Sequence, residues 1–219
     1  MTRLRPQKAR LDLEEGIDFL VSEDEDINNL YSCYGLLKLK PRKDYFRSLV
    51  SSIISQQLSN KAAKTILKRF MDLYGDNRFP NPDDILNTPR HLIRKAGLSE
   101  SKACYITGLA EAIKDRSLQL DHLSSASNEQ VRETLIKIKG IGDWTADMFL
   151  IFSLNRPDIF PIKDLGICKG FAVLLGLPEL PKPEFMATYS SRWKPFRTVV
   201  SLYLWKIVDE PESYKPNKN

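Results

Sequence analysis

Two glycines separated by one residue, Gly140 and Gly142, could form a turn that binds a phosphate. They lie in the segment L-I-K-I-K-G-I-G-D-W-T-A, residues 135–146, where one helix is predicted to end at Gly140 and another to begin at Asp143 or Trp144. Because glycine has no Cβ, N–H groups at the start of the second helix can approach a phosphate. The segment could therefore bind a nucleic-acid backbone without reading its bases. A plain connection between two helices is the alternative.

Metal and disulfide chemistry is disfavoured by the cysteine and histidine pattern. Cys33, Cys104 and Cys168 are far apart, form no Cys-x-x-Cys pair, and have only His91 and His122 to assist them. This pattern disfavours a disulfide framework, a cysteine-rich zinc site and a four-cysteine iron–sulfur cluster. We expect buried thiols in a reducing compartment and histidines at the surface.

The charge of the chain is unevenly distributed. Lysine and arginine total 33 and the acids 28, and residues 11–26 hold eight acids and no base. The rest of the chain therefore carries +13, since the whole carries +5 and this segment −8. Such a surface favours a polyanionic partner, although a solvated charged face would give the same sum.

The longest apolar stretch, residues 148–154, is far below the roughly 18 residues that span a bilayer. We expect a soluble protein with no export signal and no membrane partner.

The elements that must position these groups are predicted to be helices. Apolar residues repeat at three- and four-residue spacing over 46–54, a polar break follows at 55–57, and a second helix covers 62–70. Further helices are predicted over 99–113 and from about Pro195 through Trp205. Alternation typical of strands is hard to find. The sequence predicts an all-α fold of about ten helices.

Four sequence blocks carry a family resemblance. They are S-I-I-S-Q-Q-L-S at 52–59, G-L-S-E-S-K-A-C-Y-I at 97–106, the hairpin running on to F-P-I-K-D-L-G-I at 160–167, and W-K-P-F-R-T with L-Y-L-W within 193–205. In this order they resemble the helix-hairpin-helix DNA glycosylase superfamily, and in detail its 3-methyladenine DNA glycosylase II (alkylbase glycosylase) branch. The resemblance extends from about Tyr31 to Ile207.

The resemblance implies a single unit of two helical lobes with the active cleft between them. The central lobe would cover about 40–155 and contain the hairpin, and residues 1–39 and 156–210 would form the other lobe. We expect a loose tail over 211–219.

Asp164 occupies the position of the family's essential aspartate. An ionised carboxylate near the anomeric carbon would stabilise positive charge on the sugar and could orient or deprotonate water. From spacing alone, an N-cap of the helix that Pro161 suggests is the alternative. Lys163 departs from the acidic residue common in this branch, and it could favour the charged carboxylate or contact a phosphate.

The resemblance also assigns the substrate pocket. Relatives that cut the strand carry a lysine at the hairpin position of Trp144, whose amine forms a Schiff base, and an indole cannot. Trp144 and Trp205 match aromatic pocket positions, where a cationic alkylated purine would gain roughly 0.5–2 kcal/mol by stacking. Met148 matches a pocket wall. Ordinary core packing is the alternative for all three residues.

Gln57 matches the wedge that fills the gap left by an extrahelical base. Gln56 and Ser59 would be its minor-groove neighbours, although Ser59 could equally be the N-cap of the next helix.

Contacts to the DNA backbone are expected at the hairpin turn and at Lys163, and the resemblance implies a cation site. The residues expected at phosphates are Lys139, Gly140, Gly142 and Lys163. The carbonyls expected to hold a monovalent cation are those of Ile136, Ile138 and Ile141. No other cofactor is expected.

We therefore expect a monomeric, monofunctional DNA glycosylase that flips alkylated purines out of duplex DNA. It would release 3-methyladenine, 7-methylguanine, and etheno adducts or hypoxanthine, and leave an abasic site. One alternative is a paralogue that binds damaged or abasic DNA without excising bases, and another is a glycosylase for oxidised or mismatched bases. The sequence does not separate a bacterial cytoplasm from a eukaryotic nucleus.

Overall fold

A computed structural model of the protein describes residues 10–75 and 78–214, and within these ranges the chain contains helices and no strand. The described ranges contain twelve α-helices, ten of them with seven residues or more, and three short 3-10 helices. The prediction of an all-α fold with about ten helices is therefore confirmed.

The first six helices are α1 (Leu13–Glu23), α2 (Glu25–Tyr34), α3 (Tyr45–Ser55), α4 (Asn60–Asp72), α5 (Pro82–Asn87) and α6 (Arg90–Lys95). The other six are α7 (Glu100–Lys114), α8 (Asn128–Leu135), α9 (Asp143–Phe152), α10 (Leu165–Leu174), α11 (Pro183–Tyr189) and α12 (Arg197–Asp209). The 3-10 helices are Leu120–Ser124, Ser190–Trp193 and Pro211–Ser213. None of the helices in the described part of the chain is both long and apolar enough to cross a membrane.

The chain forms two compact units. One consists of the residues up to Pro41 together with those from Leu150 onward, and the other of Arg42–Phe149. The predicted second boundary at residue 155 lies beyond α9, whereas the observed one falls inside this helix.

Several helices of unit Arg42–Phe149 begin where the sequence supplies a capping side chain. Asp44, Ser59 and Ser99 accept hydrogen bonds from backbone N–H groups in the first turns of α3, α4 and α7. Such caps satisfy donors that a helix leaves unpaired at its start. The buried core of this unit includes Leu49, Val50, Ile53, Ile54, Phe70, Ile85, Ile93, Ile106, Leu109, Val131, Leu135 and Phe149.

The other unit is built on the close approach of α10 to α12. A Cβ on Gly170 would lie 2.2 Å from the carbonyl oxygen of Leu204, so only glycine fits there. The acidic segment has a structural use in this unit, because Asp12 and Asp24 cap α1 and α2. Asp24 also accepts a hydrogen bond from the buried indole of Trp193, at 2.8 Å.

The predicted end of α8 and the predicted C-terminal tail differ from the structure. Helix α8 ends at Leu135 rather than Gly140, because the N–H groups of Ile138 and Ile141 bond to carbonyls three residues earlier, of Leu135 and Ile138. Pro211–Ser213 is a 3-10 helix and Tyr214 is only 5% exposed, so the expected tail is not loose to that point. Its remaining residues, 215–219, lie outside the described ranges.

The cysteine prediction is wrong in one respect. All three thiols are free, but Cys33 is exposed and Cys104 and Cys168 are half-buried, so none lies in a core. Burial depends on which face of a helix is covered, and the positions of the cysteines in the sequence do not determine that face. His91 and His122 are exposed, as predicted.

Candidate functional site

The polar corner between α3 and α4 presents one side chain to solvent. Helix α3 ends at Ser55, and Gln57 has a φ of 57°, in the left-handed region that residues with a Cβ rarely adopt. The Gln57 side chain is exposed. Ser59 is the N-cap of α4, its hydroxyl accepting from the N–H of Ala62 at 3.3 Å. The corner is thus a fixed turn with an exposed glutamine at its tip.

Gln56 faces into the protein. Its amide Nε2 donates to the carbonyl of Gly140 at 2.9 Å and to the hydroxyl of Thr145 at 3.1 Å. Both N–H bonds of the amide are thereby used, so only Oε1 remains for the minor-groove contact expected from the sequence. The residue joins the corner to the hairpin.

Lys102 of α7 lies at the same corner, and the sequence reasoning did not single it out. Its ammonium donates to the carbonyls of Ile54 at 2.8 Å and of Gln56 at 2.7 Å. Desolvation lowers the pKa of this lysine from its ordinary value. The sequence signal that could have identified it is a lysine in the block at 97–106, in line with the apolar residues of α7. In the structure this lysine is half-buried.

The hairpin glycines have different local reasons for their identity. Gly140 has a φ of 92°, and a Cβ there would lie 2.1 Å from the ring of Tyr105. Gly142 is exposed, lacks a left-handed φ, and a Cβ there would meet no atom within 4 Å. The protein itself therefore requires a glycine at position 140 but leaves open space at 142, into which a ligand backbone could come.

An ion pair connects the two helices that flank the hairpin. Arg132 of α8 donates through Nε and Nη2 to Oδ1 of Asp147 in α9, at 2.9 and 2.6 Å. The carboxylate side chain is 13% exposed. Lys139 at the tip of the hairpin is exposed.

The carbonyls suggested for a cation lie in the turns before α9. The carbonyl of Ile138 accepts from the N–H of Ile141 at 3.0 Å, which leaves it one lone pair for a further ligand. Ile136 is 46% exposed, whereas Ile141 is 4% exposed. Backbone carbonyl oxygens are a donor type that can coordinate a monovalent cation such as potassium.

A cavity of about 670 Å³ lies between the corner, α7 and the hairpin. Its lining residues are Ser55, Gln56, Gln57, Leu58, Ser99, Ser101, Lys102, Tyr105, Gly142, Trp144 and Thr145. Trp144 is half-buried, so part of its ring is available to a ligand. Met148 is 8% exposed and does not line this cavity, which fits the packing interpretation of that residue better than the pocket wall.

Asp164 is the N-cap of α10, in the unit that contains the chain ends. Its Oδ1 accepts from the backbone N–H of Ile167 and from the indole N–H of Trp205, both at 2.9 Å. The N-cap interpretation is therefore correct, and it does not preclude chemistry, because a carboxylate has about four lone-pair sites. Lys163 beside this aspartate is exposed.

The Trp205 indole that donates to this carboxylate is fixed by its own packing contacts. Its ring stacks on Phe152, with centroids 5.6 Å apart and planes at 28°. A Cβ on Gly166 would lie 2.8 Å from the indole and 3.0 Å from the Asp164 carboxylate, so glycine makes room for both groups. Burial raises the pKa of the Cys168 thiol, and the negative charge of Asp164 raises it further.

Comparison with known proteins relates this geometry to a family. Residues 50–195 match the family described as HhH-GPD superfamily base excision DNA repair protein. A DNA-3-methyladenine glycosylase of Schizosaccharomyces pombe is 36% identical over 182 residues, which make up 81% of this chain and 80% of that protein.

Two solved structures share the fold. A 3-methyladenine DNA glycosylase of Schizosaccharomyces pombe in complex with abasic DNA has a TM-score of 0.79 and 32% identity, covering 92% of this chain and 100% of that one. A DNA-3-methyladenine glycosidase from Bacillus halodurans has a TM-score of 0.80 and 34% identity, covering 92% of this chain and 93% of that one. The similarity thus extends over most of the chain.

Proposed function

The chain belongs to the HhH-GPD superfamily of base excision DNA repair proteins, and we propose that it is a monofunctional DNA glycosylase that removes alkylated purines from duplex DNA. The resemblance carried by the four sequence blocks is confirmed by this membership. The names of the similar proteins support the alkylated base as the substrate class. The observation that carries the proposal is the Asp164 carboxylate, held at the start of α10 by the Trp205 indole.

The proposed reaction is hydrolysis of the N-glycosidic bond. The bond between C1′ and the purine breaks, and its electron pair leaves with the base, which alkylation has already made cationic and a good leaving group. Asp164 stabilises the positive charge that develops on the sugar. Water then adds to C1′, its proton passing to a base such as this carboxylate, and an abasic site remains.

Trp144 supports the monofunctional assignment. A strand-cutting relative would need an amine at this hairpin position to form a Schiff base with the sugar, and an indole has no nucleophilic amine. We assign Trp144 and Trp205 to stacking on cationic purines, with 3-methyladenine and 7-methylguanine as the first substrates to examine. Etheno adducts and hypoxanthine are neutral bases that would gain stacking without the cation–π attraction, and they come after them.

The remaining assignments concern DNA. Gln57 is proposed to fill the gap in the base stack, because it is the exposed tip of a fixed turn. Backbone N–H groups around Gly142 and the ammonium groups of Lys139 and Lys163 are proposed to bind phosphates. We propose that the protein acts as a monomer.

The carbonyls of Ile136, Ile138 and Ile141 are proposed to hold a monovalent cation, which would add positive charge beside a bound phosphate. Replacing potassium by tetramethylammonium at constant ionic strength should then weaken DNA binding. Equal affinities in the two salts would contradict the cation site.

The experiment that tests the function compares wild type with Asp164→Asn on duplex DNA treated with a methylating agent. Wild type should release methylpurines, identified by chromatography, and the asparagine variant should be slower by roughly 100-fold or more while binding abasic duplex equally well. Asp209→Asn, which removes the same charge from an exposed position of the same unit, is the matched control and should keep full activity.

Each other result points to a different function. Tight binding of damaged DNA without any base release by wild type would favour a binding paralogue. A covalent adduct trapped with borohydride would favour a strand-cutting glycosylase for oxidised or mismatched bases, and would overturn the assignment of Trp144.

A further inference from the structure

Helix α3 ends without a charge of its own to balance its C-terminus. The last carbonyls of a helix have no partner within it, and the negative end of its dipole favours a nearby cation. The last turn of α3 contains no basic residue. The cation comes instead from α7, where Lys102 donates to the carbonyls of Ile54 and Gln56, which lie 48 and 46 residues away in sequence.

One of these carbonyls belongs to the peptide bond that leads into Gln57. The Gln56 carbonyl and the Gln57 nitrogen share one planar group, so the ammonium that binds the oxygen also fixes the plane from which the φ of Gln57 is measured. That φ is 57°. A left-handed conformation is unfavourable for a residue with a Cβ and persists only where surrounding contacts hold it.

Helix α7 supports the hairpin as well as the corner. Tyr105, three residues after Lys102 and hence on the same face of the helix, packs against the backbone of Gly140. The side-chain amide of Gln56 connects the corner to the hairpin by donating hydrogen bonds to the Gly140 carbonyl and the Thr145 hydroxyl. The turn that presents Gln57 is therefore held from α7 and from the hairpin together.

We propose that Lys102 is a positioning residue for Gln57: by binding the carbonyls of Ile54 and Gln56, its ammonium holds the turn in the form that fills a gap in the base stack. The inference rests on the proposed function for the role of Gln57. Lys102 should therefore contribute to the preference for a duplex with an abasic site over an intact duplex, and not to the general affinity for DNA. Lys102 touches no reacting atom in this scheme.

The test measures binding alone. Dissociation constants are compared for two duplexes of one sequence, one intact and one carrying a stable tetrahydrofuran analogue of an abasic site. Lys102→Met keeps the apolar stem and removes the charge, and it should lower the preference for the abasic duplex at least fivefold. Lys102→Arg, which restores a cation, should recover most of that preference. Lys114→Met, an exposed lysine on the same helix, is the matched control and should match wild type.

A double-mutant cycle separates positioning from general stability. If Lys102 acts through Gln57, then adding Lys102→Met to Gln57→Ala should change the preference less than twofold, since the side chain being positioned is already gone. An equal loss of affinity for both duplexes, or full additivity with Gln57→Ala, would overturn the proposal.

Two features keep the test decisive. Thermal unfolding of each variant checks that it is folded at the assay temperature, and Lys102→Gln, which can still donate one hydrogen bond, replaces the methionine variant if that one unfolds. Nothing is hydrolysed in these measurements. A protein that fails to release alkylated bases would contradict the proposed function and still give a clear answer about Lys102.

Discussion

The indole N–H of Trp205 donates to the Asp164 carboxylate at 2.9 Å, and this bond connects two helix positions 41 residues apart in sequence. The same oxygen caps α10 through the N–H of Ile167. With Phe152 stacked on the indole, the carboxylate has few other orientations available. A group that must stabilise charge at one sugar atom gains from being held before the substrate arrives, because no reorientation is then needed in the transition state.

Replacing Trp205 by phenylalanine should slow base release by roughly 10- to 100-fold. The substitution keeps an aromatic ring at this position but removes the N–H together with part of the ring area, and a hydrogen bond to a charged group is worth about 1.5–3 kcal/mol. Single-turnover release from methylated duplex measures the effect. Trp193→Phe is the matched control, because its indole also donates to an aspartate of the same unit, Asp24. It should lower the free energy of unfolding but leave the rate of release unchanged, and equal slowing by both substitutions would contradict the role of Trp205.

Alanine substitutions of the two hairpin glycines should affect different properties, the stability of the fold at Gly140 and the affinity for DNA at Gly142. Gly140→Ala should cost about 2 kcal/mol or more of unfolding free energy, because its Cβ would meet Tyr105 at 2.1 Å and its φ is positive. Gly142→Ala should change stability by less than about 1 kcal/mol and weaken DNA binding by roughly tenfold, since the new methyl group occupies only the space left for a phosphate. Chemical denaturation and binding to undamaged duplex report the two effects separately. Normal DNA affinity of the Gly142 variant would argue against a backbone contact there.

The features that the sequence predicted are those set by neighbouring residues. Ser59 and Ser99 each lie directly before an apolar periodic segment, and both cap the helices that follow. The end of α8 was misplaced because Leu135 and Ile138 continue the apolar spacing, and nothing local shows that the chain there changes to three-residue hydrogen bonds.

The contacts that build the candidate site are set by packing over long separations. Gln56 bonds to residues 84 and 89 positions away, and Lys102 to residues 46 and 48 positions away. No periodicity encodes such pairs, so the sequence predicted Gln56 as a corner residue and minor-groove neighbour but not its bonds to the hairpin. The resemblance to a family supplied Asp164, and the structure added the indole that orients it.

Lys163 is exposed, so we expect its ammonium to reach a DNA phosphate. The logarithm of the binding constant for B-DNA falls with the logarithm of salt concentration by about 0.9 for each phosphate neutralised. Lys163→Ala should therefore reduce this slope by about one and leave the pH dependence of base release as in wild type. Lys169→Ala, another exposed lysine close by on α10, is the control and should keep the wild-type slope. An unchanged slope together with an altered pH profile would assign Lys163 to Asp164 instead.

The ion pair between Arg132 and Asp147 should be needed for a hairpin that binds DNA. Arg132 is 31% exposed and Asp147 13%, so solvent screens the pair in part, and we expect Arg132→Met to cost about 1–2 kcal/mol of unfolding free energy. Since the two residues lie on the helices that enter and leave the hairpin, its loss should also weaken binding to undamaged duplex several-fold. Adding Asp147→Leu to Arg132→Met should cost less than the sum of the single changes, because the ion pair between the two residues can be lost only once. Additive costs in urea denaturation would show that the pair does not couple α8 to α9.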